Sequence, residues 1–396
     1  MTDLSQIALQ ADERASTGKS SAKASFAAPS RVRVMMVGLR APSAQGGVEK
    51  HIRHLAGRLA ELGCEVEVVV RTPYTQPNET LDGARLTSIW APRNKSLEAF
   101  FHTFFAVIYA GVRRPDVLHL HAIGPGLFTP MARALGLTVV VTHHGHDYDR
   151  EKWGALARAV LRLGERAAAR AANHCITVSK AIAAKIMETY GVVCTAIPNG
   201  VPVVEPGDGV ETLARFGLTA RGYILTVGRI VPEKRHMDLI AAYADAKPTL
   251  PLVIVGGVDH ADAYAASVAE RAAQVENVKM LGFQTGSILE DLFAQARLFV
   301  LPSSHEGLPI ALLEALSYGV ESIASNIPAN LELELPPENY FPVGDIAQLR
   351  SATNARLAEP YSEEASASRR ARVRDQYDWS VIARSTYEVY LQALNR

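Results

Sequence analysis

The feature that most constrains this chain is a regular alternation of short apolar runs with longer, helix-like stretches. Val32–Val37 (VRVMMV), Glu65–Val70 (EVEVVV), Asp116–His121 (DVLHLH), Thr138–Thr142 (TVVVT) and Asn173–Ser179 (NHCITVS) read as strands. After a Pro/Gly-rich stretch, Val201–Gly209, the pattern restarts with Tyr223–Val227, Leu252–Gly256, Val278–Gly282 and Leu298–Leu301. Helical stretches lie between them, among them Ala181–Tyr190, Ala261–Ala273 and Ile288–Ala296. Parallel strands need a crossover of this kind, so the alternation predicts doubly wound parallel sheets in both halves. Nothing repeats at a short period, which excludes a solenoid.

Composition narrows the function classes. The 396 residues are 48% hydrophobic and 21% charged, enough for about two globular domains and too apolar for a disordered chain. Lys+Arg and Asp+Glu are both 41, so nucleic acid is not an expected partner. The three cysteines, Cys64, Cys175 and Cys194, are widely spaced and form no CxxC, which fits a reducing cytoplasm. The most apolar run, Phe100–Val112, is interrupted by His102, Thr103 and Gly111 and is too short to span a bilayer. Residues 1–30 read as a disordered tail without the apolar core of a signal peptide. Gly18-Lys19-Ser20 there mimics the end of a phosphate-binding loop, but Glu13 stands where its first glycine is required. The expectation is a cytoplasmic protein, in contact at most with the inner face of a membrane.

Four segments carry candidate chemistry. In Leu298–Ser325 a strand ends at Pro302, a polar loop runs to Gly307, and an apolar helix spans about Pro309 to Tyr318 with Gly319 beyond its end. Such a unit presents backbone N–H groups and a positive helix end to an anion. Glu306 stands at the helix entrance and Glu314 inside it, where a carboxylate needs either a partner or a solvent-facing stripe. Gly46-Gly47 opens a second helix after the first strand. The dinucleotide fingerprint is absent there, so the pair serves either close backbone approach or a tight turn. Arg229 and Lys234, in GRIVPEKR, follow a strand and suit a diphosphate, or simply belong to a basic helix start. His119, His121, His143, His144 and His146 cluster at two strand ends with Asp147. They lack the helical spacing or cysteine partners of well-attested zinc sites, so no metal is expected.

Several of these segments carry a resemblance. EGLPIALLE followed by AL-x-x-G resembles the E-x7-E signature of the retaining glycosyltransferases of family 4. GGVEKHIRHLAGRLAELGCEVEVVV, VTHHGHD, Pro198-Asn199-Gly200-Val201, GRIVPEKR, LGFQTGSILEDLFAQA and the Asp378-Trp379 helix resemble further parts, covering about residues 32 to 394. The resemblance implies the GT-B architecture, two Rossmann-like domains facing a cleft. It assigns 31–200 to the acceptor domain, 201–220 to a linker, 221–376 to the nucleotide-sugar domain and 377–396 to a helix returning to the first domain. It implies a retaining, metal-independent transfer of a sugar from a nucleotide-sugar to an acceptor hydroxyl, with no cofactor.

Residue by residue, the resemblance implies that Arg229 and Lys234 bind the pyrophosphate and Glu306 touches the donor sugar. Glu314 binds the ribose hydroxyls, with Gly307, Leu308 and Pro309 in the same donor loop. Gly46 and Gly47 lie against the donor phosphate, and backbone near Phe283 holds the base. His144 stands near the reaction centre, with His143 as the alternative. One departure is Glu321, where family members usually carry proline. An inactive sugar-nucleotide-binding homologue and a GT-B-shaped nucleotide-sugar epimerase are the rival readings.

Arg158, Arg162, Arg166 and Arg170 recur every four residues on a predicted helix from Trp153 to Ala172. They form either a solvated stripe with Glu165 as partner or a basic surface for anionic lipid or a lipid-linked glycan acceptor. The sequence does not show whether Arg113, Arg114 and Arg133 share that face.

Overall fold

The computed structural model describes residues 31–43, 46–75, 79–94, 97–149, 154–202, 207–246, 249–258 and 263–395. The predicted tail, part of the linker and Trp153 lie outside them. Val32–Arg396 forms one compact unit built on two wholly parallel sheets.

The first sheet contains β1 (Arg33–Val37), β2 (Glu65–Arg71), β3 (Ala84–Ile89), β4 (Val117–His121), β5 (Val139–His143), β6 (His174–Thr177) and β7 (Thr195–Ala196). Their spatial order is β3-β2-β1-β4-β5-β6-β7. The second contains β8 (Ile224–Val227), β9 (Leu252–Val255), β10 (Val278–Gly282), β11 (Leu298–Leu301), β12 (Glu321–Ser325) and β13 (Tyr340–Phe341), in the order β10-β9-β8-β11-β12-β13. Each sheet therefore reverses direction once, between β1 and β4 and between β8 and β11, and such switch points open a crevice at the strands' carboxyl ends. This is the predicted GT-B architecture.

Strand alternation divides the cores. In β1, Val34 and Met36 face the helices Gly47–Glu61 and Trp379–Ala393, while Met35 and Val37 face the helix Glu98–Arg113. In β8 and β11, Ile224, Leu298 and Val300 face one layer, and Leu225, Phe299 and Leu301 the other. The terminal helix joins the first sheet. Trp379 is buried, with its indole on Gly200, where a Cβ would come within 2.5 Å of the ring. The Tyr390 hydroxyl lies 2.7 Å from His119 Nδ1.

Some local expectations change. The run read as a strand through Ser179 ends at Thr177, because the Ser179 hydroxyl accepts from Ile182 N–H and caps the helix Lys180–Tyr190. The interrupted run Phe100–Val112 is most of the helix Glu98–Arg113, whose inward face is Ala106, Val107 and Ala110. Among the described residues no helix is long and apolar enough to cross a membrane.

Candidate active site

The chemical residues gather where the two switch points meet. In the second sheet, β8 runs into Gly228-Arg229, and a short turn, Pro232–Lys234, carries Lys234 back across Gly228. The Lys234 ammonium pairs with Glu306 at 2.5 Å, both side chains mostly buried. Glu306 lies on the loop after β11. Pro309 then sits at the N-cap of the helix Ile310–Ser317, one residue later than predicted.

Glu314 is not on a solvent stripe. Its side chain is only 12% exposed and pairs with Lys50 from the first turn of the helix Gly47–Glu61. Each carboxylate of the pair is thus neutralised by a lysine, Glu306 from its own sheet's loops and Glu314 from the opposite domain.

The first domain presents backbone and histidines. Gly46 has φ 147° and is the N-cap of the Gly47–Glu61 helix, and a Cβ there would strike the Glu49 carboxylate at 2.2 Å. Desolvation raises the Glu49 pKa, opposed by its own backbone N–H and by Arg40, Arg71 and Arg229. Arg229, from the second domain, therefore acts on a group at the first domain's helix start. A Cβ on Gly47 would rest 3.6 Å from Ile310 Cδ1. Gly307 lies so close to His144 that a Cβ would fall 1.9 Å from its carbonyl oxygen, and Gly145 (φ 144°) meets Gly307 from the other side.

Asn199 connects the two halves. Its Oδ1 lies 3.0 Å from His51 Nδ1, and its Nδ2 donates to the Leu308 carbonyl at 3.0 Å. This fixes the proton on His51 Nδ1 and leaves Nε2 as the acceptor.

The His144 ring lies edge-on to His51 at 4.7 Å, and its Nε2 is 3.2 Å from His121 Nδ1. Burial, reinforced by the neighbouring histidines, holds the pKa of His144 and His121 well below 6.5. His51 is pushed down to about 4, again by burial first. These rings are neutral at pH 7 and offer hydrogen bonds, not charge. His143 turns away: its Nε2 lies 2.7 Å from Glu165, and its Nδ1 accepts from Gly145 N–H.

Among the described residues the histidines do converge, in two groups whose candidate ligand atoms lie within 4.8 Å of one another: His51, His121, His144, and His143, His146, Glu165. In the second, Glu165 already accepts from both imidazoles and from the Tyr148 and Tyr190 hydroxyls. Burial alone would raise its pKa, but these donors hold it well below the usual carboxylate range. Glu165 is therefore not the partner of the arginine stripe. Arg162 instead lies over the Tyr148 ring and Arg170 over that of Tyr190.

The remaining residues are placed as follows. Phe283 follows β10, two strands from β8, with its ring half exposed. Glu321 opens β12 and is bound by Arg369 at 2.6 Å and Asn339 Nδ2 at 2.5 Å, so its carboxylate has partners. Sequence reasoning gave no role to Lys50, His51 or Asn199, although all three lie inside segments it had singled out.

Family comparison agrees with this fold. The profile of Glycosyltransferase Family 4 matches residues 45–205, and that of Glycosyl transferases group 1 matches residues 215–373. A glycogen synthase of Mycobacterium tuberculosis is 28% identical over 91% of this chain and 95% of its own length. An Escherichia coli UDP-Gal:alpha-D-GlcNAc-diphosphoundecaprenol alpha-1,3-galactosyltransferase is 28% identical over 54% of this chain and 59% of its own. A sucrose-phosphate synthase from Thermosynechococcus elongatus superposes with a TM-score of 0.80 at 22% identity, covering 91% of this chain and 99% of that one. The chain belongs to the family 4 glycosyltransferases of GT-B fold and is a hexosyltransferase-type enzyme.

Proposed function

We propose that this enzyme moves a sugar from a nucleotide-diphosphate sugar to a hydroxyl of a lipid-linked glycan, with retention of configuration, no bound metal and no cofactor, in the assembly of a surface polysaccharide. The observation that carries the reading is the facing of Arg229, Lys234, Glu306 and Glu314 against the Gly46-Gly47 helix start and His144. Cleavage of an anomeric C–O bond leaves negative charge on the diphosphate. In this reading Arg229 and Lys234, with the N-terminus of the Ile310–Ser317 helix, stabilise that charge. Glu306 then orients the sugar hydroxyls, Glu314 takes the ribose hydroxyls, and neutral His144 hydrogen-bonds near the reacting carbon. Gly307, Leu308 and Pro309 form the donor loop, and backbone near Phe283 faces the base. The galactosyltransferase relative, by its name, uses a lipid diphosphate acceptor, which favours a lipid-linked glycan here.

The test is turnover of candidate nucleotide-sugars, chosen by a thermal-shift panel of nucleoside diphosphates. Lys234→Ala is expected to reduce turnover about 100-fold or more, on the scale of losing one charge-stabilising group, with an unchanged circular dichroism spectrum. Near-normal turnover in that variant defeats the assignment. Isomerised free donor in place of slow hydrolysis, without acceptor, makes the enzyme an epimerase.

A further inference from the structure

The three cysteines are far apart in sequence, and the fold brings two of them together. β6 and β7 pair in parallel, with Ile176 against Thr195 and Thr177 against Ala196. One step earlier in that register, Cys175 stands against Cys194, on the same side of the sheet. Both belong to one apolar cluster, Cys175 within it and Cys194 at its margin. Neighbouring strands run about 4.7–4.9 Å apart, inside the roughly 4.4–6.8 Å Cα separation that a disulfide spans. Cys64 lies in a different core, with the helix Gly47–Glu61.

The two paired thiols are unlike. Cys175 is 5% exposed. Cys194 is half-buried beside an edge strand whose Thr195 and Ala196 are both exposed. The Cys175 S–H donates to Cys194, with the Ile176 carbonyl, 3.9 Å from its Sγ, as a weaker partner. That hydrogen bond holds the Cys194 thiol below the ordinary thiol range, against the opposing effect of its burial. The same bond, with burial, holds Cys175 well above that range. An accessible sulfur of lowered pKa beside a protonated one suits an attacking and a resolving thiol. Cys64 is the inert comparison, buried and pushed up to about 11.

β7 also leads straight into the segment that ties the two halves together. Ile197 N–H donates to the Thr177 carbonyl at 2.9 Å, and Asn199 follows with its bonds to His51 and Leu308. We propose that Cys194 and Cys175 form a thiol-exchange site for a low-molecular-weight disulfide such as oxidised glutathione, and that the resulting link shifts Asn199. The Cys194 thiolate attacks one sulfur of the small disulfide, and the first small thiolate leaves. The Cys175 thiolate then displaces the second from Cys194 and closes the protein disulfide. Two electrons pass from the protein to the reagent, and the protons of both cysteines end on the two released small thiols. The new S–S bond is about 2.05 Å long, shorter than a thiol–thiol contact, so it draws β7 towards β6. A reducing thiol pool runs the reaction backwards. The consequence for donor turnover rests on the transferase reading above; the exchange itself does not.

The experiment is incubation of the full chain with oxidised glutathione, followed by intact mass and peptide mapping. Donor hydrolysis is measured on the product before and after dithiothreitol. The expected product has lost two hydrogens, carries a Cys175–Cys194 link and hydrolyses donor about tenfold more slowly, as a small shift in a positioned site does. Dithiothreitol should reverse all three. Cys175→Ala keeps the attacking thiol and loses the resolving one, so a glutathione adduct should persist at Cys194. Cys194→Ala should take up no glutathione and hydrolyse donor as the reduced parent does. Cys64→Ala should form the link unchanged. The peptide map of the parent decides the linkage even where a variant fails to fold. Absence of the link, an adduct on Cys64 in place of Cys194, or equal hydrolysis with the link formed overturns the proposal. A chain that closes the link but turns over no nucleotide-sugar in either state leaves the exchange site standing and removes the transferase reading.

Discussion

A carboxylate in an apolar helix must be compensated, and at Glu314 the compensation comes from Lys50, 264 residues away in sequence. That separation explains what could be read beforehand. The spacing from Glu306 marked Glu314 as unusual, but no local pattern names a partner on another domain. Because the pair is mostly buried, each single change leaves a charge without its counterion. Lys50→Met and Glu314→Gln together should cost less than the sum of the two, with a coupling of about 1 kcal/mol in urea unfolding. Strict additivity would show that the two side chains do not interact. Glu321 follows the same logic at a position where family members usually carry proline. Its oxygens take Arg369 and Asn339, and Arg369 also donates to the Gly319 carbonyl at 2.9 Å. Glu321→Ala should lose about 1–3 kcal/mol, the penalty for orphaning part-buried donors. A change of a few tenths or less would mean that water replaces the carboxylate.

At the scale of elements, the strands that were legible are the central ones. β1, β8 and β11 are buried along most of their length and read as mainly apolar runs, and β4 (VLHLH) is buried throughout although His119 and His121 interrupt its apolar residues. β3, β7, β12 and β13 were not among the predicted strands, and their residues show why: Ala84–Ile89 is partly exposed, and β7 and β13 have two residues each. Glu165 shows the opposite failure. It sits among evenly spaced arginines, yet the helix turns it inward to His143 and Tyr190. The loop pair at the active site was legible only as glycines. Its reason is the contact between Gly307 and the His144 carbonyl, where an added methyl carbon would lie only 1.9 Å from the carbonyl oxygen. Gly307→Ala should therefore push the donor loop off the His144 loop while both sheets remain folded. Displacements of about 1 Å in a positioned site cost on the order of 100-fold in rate. Donor turnover at that reduced level, with an unchanged far-ultraviolet spectrum, is the expected outcome. Full activity would show that the two loops need not touch.

At the scale of the whole molecule, the seam between the halves is lined with histidines that burial keeps neutral. His119 contacts Thr142 on one ring nitrogen and Tyr390 of the terminal helix on the other, and burial pushes it down to about 3. His51 touches Asn199 and packs edge-on against Trp379, and is pushed down to about 4. Repetition of strand and helix makes two sheets legible from the residues alone. This seam is not, because it joins positions near 51, 119, 199, 307 and 390 that share no local pattern. In the unfolded chain these histidines take up protons near pH 6.5, and in the folded chain only near 3 to 4. The unfolded state therefore binds more protons throughout that interval, and stability rises with pH there. It is fully present above about pH 6.5 and is lost as pH falls towards 4, by about 1 kcal/mol per pH unit for each such histidine. Urea midpoints should accordingly be flat above neutrality and fall steeply below about pH 6. His119→Gln, which keeps a polar group between Thr142 and Tyr390 but cannot titrate, should flatten that fall. An unchanged slope in the variant would place the acid sensitivity elsewhere than at the seam.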